Sequence, residues 1–202
     1  MQIERHRIRL FCYPRQISAR ELTHFSESIK VLAPEFSFLQ MTTNGIEDIY
    51  NFLRLSNTVA TAGQPTEAQF SLIKAAGYQV VINLALRDSP NALAHEQAIV
   101  EALGMQYVQI PVIWEMPTLQ DIAHFFTVMT RNAEQSVFVH CAANKRVSAF
   151  MYLYRRLQLG MSEEEAKRDL HQVWVPNEVW QVFMQQAIAH YSPAIPLNRP
   201  LA

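Results

Sequence analysis

The chain has 202 residues, half of them hydrophobic and 17% charged, which supplies a sizeable core and excludes wholesale disorder. A formal net charge of -1 with no Lys/Arg block gives nucleic acid no electrostatic footprint. No stretch approaches the roughly 18 apolar residues of a membrane span, and Met1 to Arg7 do not open a secretory leader. Two distant cysteines, Cys12 and Cys141, are too few for a disulfide scaffold, so a cytoplasmic location is expected.

In chain order, residues 1–43 read as an N-terminal extension with a helix over about 19–31, opened by a Ser18/Glu21 capping box. A domain spans 44–190. Ile46 to Leu53 reads as a helix opening, and Thr58 to Thr61 as a short strand before Gly63. Thr66 and Gln69 cap a helix that stops at Gly77. Tyr78 to Leu84 is an almost continuous apolar run, the pattern of a strand buried on both faces. A helix over 92–103 ending at Gly104, a strand over 107–112 and a helix from Thr118 to about Arg131 follow. Ser136 to His140 is another buried strand, and a helix starts at about Val147. Ser162 and Glu165 cap the next helix, Pro176 precedes the last, and 191–202 is a proline-rich tail. Alternating strands and helices predict one three-layer α/β domain, with a largely parallel sheet of four to five strands flanked by helices.

In such sheets ligands collect at the carboxyl ends of the strands. There lies the segment His140-Cys141-Ala142-Ala143-Asn144-Lys145-Arg146-Val147-Ser148, between a buried strand and a helix. Unpaired amides at a helix N-terminus attract anions, and the same positive end favours a cysteine's nucleophilic thiolate. Arg146 can grip two oxygens of a tetrahedral anion, which Lys cannot reproduce. Ala142 and Ala143 let the backbone approach a ligand, and Asn144 tolerates a left-handed conformation. Ala142 through Arg146 are therefore the expected anion-binding residues and Cys141 the nucleophile.

The His140–Arg146 loop resembles the His-Cys-x5-Arg signature of cysteine-dependent tyrosine and dual-specificity phosphatases. Ala62-Gly63-Gln64-Pro65-Thr66, Val81-Ile82-Asn83-Leu84 and Ile110-Pro111-Val112 before Pro117-Thr118 are similar to the bacterial dual-specificity-phosphatase-like family, also found joined to metallo-β-lactamase-type domains. The resemblance covers about residues 46–158. It implies phosphate-ester hydrolysis without metal or organic cofactor, on a phosphorylated small molecule or a phosphoprotein. One departure stands out. Only four residues, Ala142 through Lys145, separate Cys141 from Arg146, and the usual loop glycine is missing. A loop this short resembles that of rhodanese-type sulfurtransferases, which would take a sulfane-sulfur donor and carry a persulfide on Cys141. A module that binds phosphorylated ligands without turning them over is a third reading.

Such a phosphatase needs a carboxylic acid to protonate the leaving oxygen. Glu115, in Trp114-Glu115-Met116-Pro117, is the best-placed candidate. Asp121 is its rival, but its spacing from Thr118 is explained by helix capping. His140 is expected to support the loop from beneath, and Ser148 to hydrogen-bond Cys141. Glu96 is either a holder of Arg146 or an ordinary surface charge. The other histidines show no metal-ligand spacing, and Trp174, Trp180 and Phe183 read as core.

Overall fold

The computed structural model describes residues 45–192. The helix expected over 19–31 and the tail from Pro193 lie outside them. Within them a single sheet runs in the order β1-β2-β5-β3-β4. The strands are β1 (Leu53–Arg54), β2 (Val59–Ala62), β3 (Val80–Asn83), β4 (Gln106–Gln109) and β5 (Val137–His140). Only the edge strand β1 is antiparallel, so the expected largely parallel sheet is found.

Side chains alternate across the sheet as the pleat dictates. Val80, Ile82, Val137 and Val139 point into one core, while Ala60, Ala62, Val81 and Phe138 point into the other. The second core is closed by α1 (Glu67–Ala75) and α2 (Glu96–Ala102). The first is closed by α3 (Leu119–Arg131), α4 (Lys145–Leu157), α5 (Glu163–Val173) and α6 (Glu178–Tyr191). Every residue of β3 and β5 is buried, which is why both strands read as continuous apolar runs.

Three sequence expectations need correction. Ile46–Asp48 forms a single 3-10 turn rather than a helix opening, and Leu53–Arg54 pairs with β2 as the edge strand. The helix expected from Ala92 begins only at Glu96. The helix after the cysteine begins at Lys145, two residues before Val147, because Asn144 turns the chain in the left-handed region (φ 61°) and releases it into helical conformation at once.

Candidate active site

Cys141 directly follows β5, the middle strand, at its carboxyl end. Its loop is fixed from both sides. The Cys141 amide donates to Ala62 O (3.3 Å), the Ala142 carbonyl accepts from the Gln64 amide (3.3 Å), and the Ala143 carbonyl from Asn51 Nδ2 (3.1 Å). Asn144 Nδ2 in turn donates to Asn51 O (2.7 Å) and Thr61 Oγ1 (3.0 Å). Gly63 bridges Ala143, and a Cβ there would stand 3.1 Å from Ala142 O and closer still to Tyr50. Only glycine lets the two segments meet at this spacing.

With the Ala142 and Ala143 carbonyls taken up by Gln64 and Asn51, the amides of Ala142, Ala143, Asn144, Lys145 and Arg146 donate to no backbone carbonyl among the described residues. Arg146, the second residue of α4, is buried, and its Nε has no hydrogen-bond partner among the described residues. Its guanidinium lies over the Trp114 ring at 5.7 Å. The neighbouring Lys145 ammonium lies 5.6 Å over Trp174. Arg155 and Arg156 are paired with Asp169 and Glu163, whereas no such carboxylate is found for Arg146 among the described residues. A cation held dry on an aromatic face, with unpaired amides beside it, is what an oxyanion needs.

Trp114, Trp174 and Trp180, all the tryptophans of the chain, form one cluster with centroids 5.2–6.2 Å apart. Trp180 Nε1 donates to Trp114 O (3.1 Å), and Trp174 Nε1 donates to Ser148 Oγ (3.0 Å). The cluster ties the β4–α3 loop to the helix that follows the cysteine. Nothing in the sequence links residues 114, 174 and 180, so reading Trp174 and Trp180 as core misses their second use. The rarity of tryptophan was the one available signal.

Glu115 is exposed on that loop, next to Trp114. It faces a cleft of about 380 Å³ with Met116, Glu178, Val179 and Val182. Asp121 serves as a cap of α3: its Oδ2 accepts from the Thr118 amide (2.9 Å) and hydroxyl (2.7 Å). Ser148 departs from expectation. Its hydroxyl donates to Lys145 O (3.0 Å) and accepts from Trp174, so it serves the loop's shape instead of bonding Cys141.

Glu96 departs too. It is neither a surface charge nor a holder of Arg146, but 5% exposed with its Oε1 3.1 Å from His140 Nε2. Burial alone would raise its pKa, yet the contacts from His140, Gln64 and Tyr107 outweigh this and hold the carboxyl below its ordinary range. Among the described residues no group of His, Cys, Asp and Glu side chains is placed to hold a metal ion. No helix among them is long and apolar enough to cross a membrane.

A protein-family model described as a DSP-PTPase phosphatase fused to NAD+ kinase matches residues 31–186. The chain belongs to this family. A candidate phosphatase from Shewanella putrefaciens CN-32, solved as a crystal structure, is 35% identical, with 72% of this chain and 96% of that one covered at a TM-score of 0.65. A Cys→Ser variant of TpbA from P. aeruginosa in complex with pTyr is 16% identical (72% and 85% covered, TM-score 0.51) and shares the fold. So does the core catalytic domain of the PP-IP phosphatase SIW14 from S. cerevisiae (16% identical, 68% and 85% covered, TM-score 0.57). A search of the curated proteins finds no match. The family makes the protein a cysteine-dependent phosphatase of the dual-specificity type, and the sulfurtransferase alternative is not favoured.

Proposed function

We propose that residues 44–190 hydrolyse a phosphomonoester with Cys141 as nucleophile, on a phosphoprotein side chain or a phosphorylated small molecule, in the cytoplasm. The Cys141 sulfur attacks phosphorus as a thiolate. Arg146 and the amides of Ala142, Ala143, Asn144 and Lys145 carry the equatorial oxygens. As the S–P bond forms, the P–O bond to the leaving group breaks, and Glu115 gives that oxygen its proton. Water then attacks phosphorus, Glu115 takes the water's proton, and the S–P bond breaks to return the thiolate and release inorganic phosphate. Seating on Trp114 keeps Arg146 out of bulk water, where each contact to phosphate counts for more.

The observation that carries this reading is Arg146: buried, without a carboxylate partner among the described residues, and five residues beyond Cys141 at the far side of its loop. The TpbA complex with pTyr and the PP-IP phosphatase name of SIW14 agree with a phosphorylated substrate without choosing between its kinds. The test is a parallel assay of the purified chain with an aryl phosphate and with thiosulfate plus cyanide. Cys141-dependent release of phosphate is expected. Cys141-dependent thiocyanate formation with no phosphate release would overturn the reading.

A further inference from the structure

Beneath the cysteine loop, on the α2 side of the sheet, one carboxylate gathers side chains from four segments. Glu96 Oε1 accepts from Asn83 Nδ2 on β3 (2.7 Å) and from the Tyr107 hydroxyl on β4 (2.9 Å), and lies 3.1 Å from His140 Nε2 on β5. Its Oε2 accepts from Gln64 Nε2, whose backbone amide holds Ala142 O. His140 has no exposure at all, and its ring is wedged between Phe70 and Phe138 with centroids 6.0 and 6.3 Å away. His140 Nε2 faces the carboxylate at 3.1 Å, although neither ring nitrogen reaches hydrogen-bond geometry with any partner among the described residues. The next residue in the chain is Cys141.

We propose that Glu96 is a positioning residue: it locks His140 from one side and Gln64 from the other, and so holds Cys141 and Ala142 in the shape that binds the anion. The inference rests on Cys141 as the nucleophile. An ordinary buried ion pair would need one partner, and burying a carboxylate for the fold alone is costly. Here three donors converge on it with the His140 ring beside them, and Gln64 and His140 lead directly into the reacting loop. The titratable and charged groups around Glu96 are His140, Tyr107, Arg87 from the β3–α2 loop, and His95 and Glu101, which line the same cavity. Burial, and then the Glu96 charge, keep the Tyr107 phenol protonated by raising its pKa. It therefore remains a donor throughout the working pH range.

The test follows iodoacetamide alkylation of Cys141 against pH, with Cys12→Ser removing the other thiol, alongside kcat/KM for an aryl phosphate. In Glu96→Gln an amide N–H₂ replaces one acceptor and faces donors. The slackened loop stabilises the thiolate less, so the alkylation midpoint should rise by about one pH unit and kcat/KM should fall. Should Glu96→Gln fail to fold, Tyr107→Phe removes one donor with the shape kept, and a smaller rise in the same direction is expected. An unchanged midpoint would make Glu96 scaffolding only. A falling midpoint would make it a mere repelling charge, and either result overturns the proposal. If Cys141 of the otherwise wild-type protein alkylates no faster than an ordinary thiol, the nucleophile assignment itself fails.

Discussion

The cysteine loop and the loop carrying Glu115 leave the same carboxyl end of the sheet, after β5 and β4, yet they are held by opposite means. The first is largely buried, with Cys141, Asn144 and Arg146 inside, and is pinned by Asn51, Thr61, Gln64 and, through His140, Glu96. The second exposes Ile113, Glu115 and Met116 and is anchored through Trp114 and the cap of α3. The difference fits the proposed division of work. An anion site built of the loop amides and Arg146 must exist before substrate arrives, because such groups stabilise charge only if they need not reorganise. Glu115, as the proposed acid, would meet leaving groups of varied shape, which suits a surface position.

The strongest way to break this comparison is at the pinned loop. Cys141→Ser should abolish hydrolysis, and Arg146→Lys, losing the planar fork, should lower kcat by ~10²–10³-fold. Steady-state kinetics on one aryl phosphate checks both. At the exposed loop, Glu115→Gln should cost ~10²–10⁴-fold with alkyl phosphates and far less with an activated aryl ester. Equal losses on both esters would remove Glu115 as the acid.

Smaller effects sharpen the contrast. The Glu96 carboxyl is held below its ordinary 4.5. Its contribution to stability is therefore complete above that value and lost as pH falls through the lower folded value. The Tm gap between wild type and Glu96→Gln should be widest near neutrality and close on acidification. Smallest of all, Asp121→Ala should cost about 1 kcal/mol as a lost cap and leave kcat/KM unchanged. A collapse of activity there would make Asp121 the acid in place of Glu115.

Much of this was legible from local chemistry. Continuous apolar runs mark β3 and β5, and Thr66/Gln69, Thr118/Asp121 and Ser162/Glu165 are capping boxes in the structure as in the sequence. Asn144 takes the left-handed turn its side chain suits. What the sequence hid were pairings between distant segments. The two-residue strand β1 exists only because β2 supplies its partner. Glu96 reads as a surface charge until the topology sets α2 against β5, and Ser148 reads as a partner for Cys141 until Trp174 folds over it. Such contacts are long-range, and residue spacing carries no record of them.

The central claim is that phosphorus passes through Cys141. Mixing the protein with an aryl phosphate, quenching within a turnover and mapping peptides by mass spectrometry tests it directly. A phosphoryl group on the peptide containing Cys141, gone in Cys141→Ser and accumulating in Glu115→Gln as hydrolysis of the intermediate slows, is the predicted result. Hydrolysis that persists in Cys141→Ser, or turns over with no phosphoryl group ever found on Cys141, would contradict it.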